Sequence, residues 1–181
     1  TQTGVINTGT LTGNTGSTVT LGGNNTIANL GAFTSVGGLT IKDTAGGLNV
    51  TGTVSDSTGA VSLTTAGGAL ALASNNVSGV GVSLTGQGVT STGGTVNAGT
   101  GTITVVGSDG TKGAINLAGA LTTTNATATA VTVQNATTVA LGNVTTGGAG
   151  TTTIGVSGDV TGAVTQTGVI NTGTLTGNTG S

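Results

Sequence analysis

Residues 39–72 read LTIKDTAGGLNVTGTVSDSTGAVSLTTAGGALAL, and the pattern within them decides the fold. The triplet Leu39-Thr40-Ile41 returns further along as Val61-Ser62-Leu63. Each is followed, at the same distance, by another triplet, Leu48-Asn49-Val50 and Leu70-Ala71-Leu72. Alternation of apolar and other residues is typical of a short strand with one buried face. The stretch therefore predicts two successive units, each with at least two short strands.

Triplets that correspond to Leu39-Thr40-Ile41 recur at intervals of roughly 20–23 residues, a period typical of solenoids. They begin at Val19, Leu39, Val61, Val82, Ile103, Val131 and Ile154. The interval is broken only across residues 106–130, where Ile115-Asn116-Leu117 comes early. Gly-rich turn signals lie between strands, at Ala45-Gly46-Gly47, Ala66-Gly67-Gly68, Ser108-Asp109-Gly110 and Thr146-Gly147-Gly148. The sequence therefore predicts units of about 20–22 residues that hold two or three short strands.

Units of this length are typical of a parallel β-helix, in which each unit forms one coil and like strands stack on like strands. We therefore predict an all-β fold, a parallel β-helix (β-solenoid) with about eight coils of about 20–22 residues in residues 1–164. The absence of Pro fits a continuous backbone ladder. The alternative is a β-sandwich or barrel, which would need hairpin turns such as Asn-Gly, and these are not prominent.

A second, longer repeat is present in the sequence, because the same segment occurs at both ends of the chain. Residues 1–17 and residues 165–181 both read TQTGVINTGTLTGNTGS, so the sequence starts again at Thr165. We expect residues 1–164 to be one full tandem repeat and residues 165–181 to be the start of the next, within a longer polypeptide. The chief partner of the chain would then be its own neighbouring repeats, and eight coils would advance roughly 38 Å along the axis.

The composition disfavours most enzyme chemistry. Gly supplies 38 residues and, together with Thr, almost half of the chain, whereas only six residues are charged. General acid–base and nucleophilic catalysis draw mainly on His, Glu, Cys, Tyr, Asp and Lys, and the chain has no His, Glu, Cys or Tyr. We therefore expect no enzyme activity, no catalytic, cofactor-binding or metal-binding residues, and no cofactor.

Nucleic-acid and membrane partners are also disfavoured. Phosphate contacts need many Lys or Arg side chains, and two Lys with a formal charge of −2 supply no basic patch. A membrane-spanning helix needs about 18 consecutive apolar residues, and the apolar runs here are only a few residues long.

For the few charged and aromatic residues, the sequence predicts structural places and no functional roles. We expect Phe33 to fill the interior or to cap a coil, Lys42-Asp43 to form a solvated turn, and Asp109-Gly110 to form a turn. No partner is visible in the sequence for Asp56 or Asp159, so neither is assigned a role. Six possible N-glycosylation sequons begin at Asn24, Asn49, Asn76, Asn125, Asn135 and Asn143.

Several stretches resemble a known family. They are residues 25–34 (NTIANLGAFT), 37–41 (GGLTI), 47–54 (GLNVTGTV), 59–65 (GAVSLTT) and 95–103 (TVNAGTGTI). Together they resemble the repeat region of filamentous-haemagglutinin-like, two-partner-secreted adhesins of Gram-negative bacteria. The resemblance implies a right-handed β-helical shaft on a large secreted adhesin, located outside the cell at the bacterial surface. Lateral self-association and contact with host or bacterial cell surfaces would follow.

The sequence thus predicts a structural shaft segment of a long extracellular fibre or adhesin, which gives reach and rigidity for attachment. The alternative is a module that binds glycans or cells through an exposed face of Thr and Asn. A third interpretation is an ice-binding β-helix, suggested by Thr-x-Thr pairs such as Thr18/Thr20 and Thr102/Thr104. The uneven spacing of these pairs argues against a continuous ice-binding face.

Overall fold

The computed structural model describes residues 2–180, which contain β-strands and turns and no helix. The strands in chain order are β1 (Asn7–Asn14), β2 (Val19–Ser35), β3 (Leu39–Asp43), β4 (Leu48–Val50), β5 (Val54–Asp56), β6 (Val61–Thr65), β7 (Leu70–Ala71), β8 (Val77–Ser78), β9 (Val82–Thr85), β10 (Val89–Ser91), β11 (Thr95–Asn97), β12 (Ile103–Val106), β13 (Ser108–Asp109), β14 (Thr111–Lys112), β15 (Ile115–Leu117), β16 (Ala120–Thr122), β17 (Val131–Gln134), β18 (Val139–Leu141), β19 (Val144–Thr145), β20 (Thr151–Ile154), β21 (Val164–Gln166), β22 (Ile170–Asn171) and β23 (Thr174–Gly177).

The strands stack in parallel into three columns that run the length of the molecule. Face 1 contains the first part of β2, then β3, β6, β9, β12, β17, β20 and β23. Face 2 contains the middle of β2, then β4, β7, β10, β15, β18 and β21. Face 3 contains the end of β2, then β5, β8, β11, β16, β19 and β22. The prediction of a parallel β-solenoid with about eight coils is therefore confirmed.

Alternation along each strand sends one set of side chains into the interior. On face 1, Ile41, Leu63 and Leu84 lie in register on successive coils and are fully buried. Faces 2 and 3 contribute similar stacks, so the buried apolar residues form one continuous cluster along the axis. Because each coil covers the apolar side chains of the next, stability accumulates from coil to coil.

The predicted strand triplet Ile154-Gly155-Val156 on face 1 is wrong by two residues. The structure pairs Thr152 with Val131 and Ile154 with Val133, so β20 lies two residues earlier than Ile154-Gly155-Val156. Thr152 is fully buried, whereas Val156 is 42% exposed. Gly155 has φ +78°, which ends the strand at Ile154. A Thr in an inward position hid the true register from a search for apolar residues.

The irregular region 106–130 is a longer coil with an excursion. The strands β13 and β14 pair in antiparallel fashion, Ser108 with Lys112 and Asp109 with Thr111. Gly110 lies at the tip of this hairpin with φ +99°, so the predicted turn at Asp109-Gly110 is confirmed. The excursion explains why the face 1 partner of Ile103 on the next coil comes as late as Val131.

Candidate functional site: uncharged outer columns and buried polar corners

Face 1 presents an unbroken outer column of hydroxyl groups, one from each coil. Its members pair in register from coil to coil and are exposed or half-buried: Thr20, Thr40, Ser62, Ser83, Thr104, Thr132, Thr153 and Thr176. We call this set the hydroxyl column. The sequence argument against a continuous face concerned Thr-x-Thr pairs, whereas this column is a single row with one hydroxyl group per coil. Turns of different length and the alternation of Thr with Ser concealed it.

The column beside it is not regular. Two residues further along the strands, the registered positions are held by Lys42, Thr64, Thr85, Val106 and Gln134. A cation, an apolar side chain and an amide therefore interrupt this second row of hydroxyls. On this side of the hydroxyl column, face 1 therefore has no second regular row of hydroxyl groups.

The outer columns of faces 2 and 3 are also free of charge. On face 2 the registered outer residues are Asn29, Asn49, Ala71, Thr90, Asn116, Ala140 and Thr165. On face 3 they are Thr34, Ser55, Ser78, Asn97, Thr122, Thr145 and Asn171. Like charges in register about 4.8 Å apart would repel along the column, and these columns avoid that repulsion.

Asp56 ties the corner after face 3 to the preceding coil. Its Oδ2 accepts hydrogen bonds from Ser35 Oγ at 2.6 Å and from the backbone N of Gly38 at 2.8 Å. Its Oδ1 accepts from the backbone N of Gly37 at 3.2 Å. Gly37 and Gly38 have φ of +91° and +128°, a conformation that glycine adopts readily. The carboxylate therefore holds a tight turn of the neighbouring coil in place.

The same carboxylate also organises its own turn. Oδ1 accepts from the backbone N of Thr58 at 3.0 Å and of Gly59 at 2.5 Å. Burial raises the pKa of Asp56, but hydrogen bonds from Ser35, Gly59, Gly38 and Thr58 outweigh that effect and lower the pKa to about 2. The sequence showed no partner for Asp56, because these donors belong to a turn on another coil and to backbone groups.

A second buried carboxylate lies at the corner between faces 1 and 2. Asp43 is fully buried. Its Oδ1 accepts from the backbone N of Ile27 at 2.8 Å, and its Oδ2 accepts from Thr65 Oγ1 at 3.2 Å. The prediction that Lys42-Asp43 forms a solvated turn is therefore wrong for Asp43. Strand alternation turns Asp43 inward, where it bridges the coil before it and the coil after it.

Asn25 occupies the same corner one coil earlier and is also fully buried. Its Nδ2 donates to the carbonyl oxygens of Leu21 at 3.1 Å and Lys42 at 3.0 Å. Its Oδ1 accepts from the backbone N of Ile6 at 2.9 Å. Within the described residues, every buried side-chain nitrogen or oxygen has a hydrogen-bond partner, so these polar corners are satisfied.

Phe33 lies inside the solenoid, as predicted, with 5% of its surface exposed. It pairs with Gly13 of β1 and Val54 of β5. A methyl group at Gly13 would overlap the aromatic ring. Glycine at position 13 therefore makes room for the aromatic side chain.

Lys112 and Asp159, two of the remaining charged residues, are in contact. Lys112 Nζ donates to the backbone oxygen of Asp159 at 2.8 Å, and Asp159 Oδ1 accepts from the backbone N of Val156 at 2.7 Å. Asp159 thus has a local turn role that its sequence context did not show. In the described residues no three His, Cys, Asp or Glu side chains lie close enough together to hold a metal ion, and there is no helix that could cross a membrane.

Two surface features could contact other molecules. An open groove of about 480 Å³ follows the corner near Asp56 and is lined mainly by hydroxyl and amide groups. Of the six sequon asparagines, Asn24, Asn49, Asn76 and Asn143 are exposed. Of these four asparagines, only Asn49 belongs to the outer columns described above, and the groove is lined in part by Asp56.

A scan against protein-family models, a search of curated proteins and a search of solved structures each returned no match to this chain.

Proposed function

We propose that this chain is a structural shaft segment of a long extracellular fibre or adhesin, located at a bacterial cell surface. The single observation that carries the proposal is the three-column parallel ladder that runs from β2 to β23 with one continuous apolar interior. Its backbone hydrogen bonds and buried side chains join one coil to the next. This arrangement suits a rod that transmits force along its axis.

The polar corners support the same function. Asp43, Asp56 and Asn25 each bond groups on a neighbouring coil. A buried carboxylate that is fully hydrogen-bonded holds its donors in a fixed geometry. The corners therefore resist rotation of one coil against the next, which a stiff shaft requires.

A second candidate function is supported by the hydroxyl column. Regularly spaced hydroxyl and amide groups on a flat surface can donate and accept hydrogen bonds with sugar hydroxyls. A glycan- or cell-binding module would use this face together with the outer Asn and Thr residues of faces 2 and 3. Ice binding is less favoured, because Lys42, Val106 and Gln134 interrupt the second row. We expect purified protein to show no thermal hysteresis in an ice-growth assay.

Electron cryomicroscopy of the native material tests the shaft proposal. We expect rods with an axial layer spacing of roughly 4.8 Å, whose length grows with chain length. Compact particles without an axial layer line would refute the shaft. Binding of cells or glycans by the isolated chain, lost when the hydroxyl column is substituted, would favour the second candidate instead.

A further inference from the structure

The identical segments 1–17 and 165–181 occupy different places around the solenoid. In the first segment Leu11 pairs with Leu30, which in turn pairs with Val50 on face 2. The equivalent residue of the second segment, Leu175, pairs with Thr152 on face 1. One sequence therefore serves as a rung in two positions that differ by one face.

Both placements keep the same residues turned inward. Ile6 and Leu11 pack against the core in the first segment, and Ile170 does so in the second. Leu175 lies in register with the fully buried Thr152, although it is 53% exposed because no later coil among the described residues covers it. Val5 and Val169 are 68% and 69% exposed in their respective places. Alternation is therefore the same at Leu11 and Leu175, but the first segment turns from face 2 to face 3 between Leu11 and Gly13, whereas Leu175 and Gly177 both lie on face 1.

The two segments also use opposite edges. Residues 7–14 bond to the coil that follows them, at residues 26–34. Residues 170–177 bond to the coil that precedes them, at residues 144–145 and 151–154. Because these are different edges of the strand, one copy of the segment could make both sets of bonds at once.

The number of residues between the two segments is consistent with one copy of the segment bonding to the coils on both sides of it. On face 1 the register runs through seven successive pairings from Val19 to Leu175, whereas the sequence repeat places Leu175 opposite Leu11, a position that precedes Val19. Leu11 lies on face 2 and Gly13 on face 3, so the chain passes two faces before it reaches Val19 on face 1. A second copy that continued the ladder would therefore begin about two thirds of a turn further along the winding, which is the same as one face back.

Apolar side chains are also exposed along the outer edge of the second segment. Val164 is 40% exposed beside Leu175, and a groove of about 300 Å³ is lined by Ile154, Val164, Leu175, Thr176, Gly177 and Thr179. In the first segment the equivalent position, Leu11, is paired with the fully buried Leu30. Residues 18–35 of a second copy would supply the same cover to Leu175.

We propose that the outer edge of residues 165–181 docks residues 18–35 of a second copy of this chain, rotated by one face. The register follows from the first segment: Asn171 pairs with Thr26, Leu175 with Leu30, and Asn178 with Thr34 of the second copy. This inference rests on the shaft proposal. It specifies how successive segments join, and it makes the repeat seven and about two thirds coils long.

The first test uses the full chain with Leu11→Asp, which places a carboxylate against Leu30 and releases the chain's own first rung. Residues 165–181 of another molecule then become the best occupant of the vacated edge. We expect sedimentation equilibrium to show at least a doubling of mass that increases with concentration. The matched variant L11D/L175D should stay monomeric, as should Leu175→Asp alone. A folded L11D chain that remains monomeric, or one that associates equally well with L175D present, would overturn the proposal.

A second test does not depend on L11D folding. Two copies are joined so that residues 165–181 of the first copy serve as residues 1–17 of the second. The chain has no Cys, so cysteine pairs report only the chosen contacts. Thr153→Cys with Thr176→Cys tests the edge that faces the first copy. Asn178→Cys with Thr34→Cys of the second copy tests the other edge.

We expect both disulfides to form in the same molecule with at least tenfold higher yield than a mismatched pair between Asn178→Cys and Thr104→Cys of the second copy. Formation of only one of the two pairs would show that the two placements exclude each other, and would overturn the proposal. The rod length in electron micrographs distinguishes an error in the proposed junction from an error in the shaft proposal. A straight rod of doubled length without both disulfides refutes the junction alone, whereas a compact particle refutes the shaft.

Discussion

Ser35 Oγ donates a 2.6 Å hydrogen bond to Oδ2 of Asp56, which lies on the next coil, and both side chains are buried. The two residues also pair in register on face 3. A single carboxylate thereby connects a strand end, the turn that follows it and the turn of its own coil. The geometry makes Asp56 the charged group on which the early coils depend most.

Asp56→Asn should destabilise the protein by about 2–3 kcal/mol, because the amide NH₂ cannot accept the backbone hydrogen bonds that the carboxylate accepts. Urea unfolding followed by circular dichroism would measure the change. Asp159→Asn is a suitable control, since Asp159 is half-buried and its carboxylate accepts a single bond, from the backbone N of Val156. Equal loss in both variants would contradict a special role for the buried corner.

Stability should also fall in acid because of Asp56. Its folded-state pKa is about 2, below the ordinary value of 3.8. A carboxyl group with a lowered folded-state pKa stabilises the fold above its unfolded pKa, and that contribution is lost as the pH falls from about 3.8 to about 2. Melting temperature measured across this range should decrease. In Asp56→Asn the decrease should be smaller, and an unchanged decrease would assign the acid sensitivity to other groups.

The sequence predicted the fold because the face 1 triplets repeat at nearly constant spacing. Leu39, Val61, Val82 and Ile103 are inward residues of adjacent rungs, so the spacing between them is the coil length itself. The same reasoning failed where an inward position is polar. Thr152 concealed the register of β20, Asp43 was predicted to lie in a solvated turn, and Asp56 was assigned no role. Both donors to Asp43 and three of the donors to Asp56 lie about one coil away in sequence, and local patterns carry no information about them.

Because turns of adjacent coils pack closely, substitution of glycine by alanine should change the free energy of unfolding by different amounts at different positions. A methyl group at Gly101 would overlap the backbone of Gly81 on the adjacent coil, whereas nothing lies within 4 Å of the same position at Gly9. Gly101→Ala should therefore cost about 1–3 kcal/mol through forced backbone movement. Gly9→Ala should change the free energy of unfolding by less than about 0.5 kcal/mol. Similar urea midpoints for the two variants would show that the coils can separate without penalty.

The lack of charge on the outer columns predicts how the hydroxyl column responds to substitution. Thr104 and Thr132 lie in register on adjacent coils, with both side chains turned outward. Two Lys residues there would repel across the strand spacing, and the repulsion would be screened by salt. T104K/T132K should lose up to about 1 kcal/mol at low ionic strength and recover most of it in high salt. T104K/T132E places opposite charges at the same positions and should lose less at low salt, with the reverse dependence on salt. Thermal unfolding of the two variants at low and high salt measures this contrast.

If the two variants respond to salt alike, side-chain volume and not charge limits which residues the hydroxyl column accepts. The lack of charge in this column would then need a different explanation, such as contact with sugars or cells.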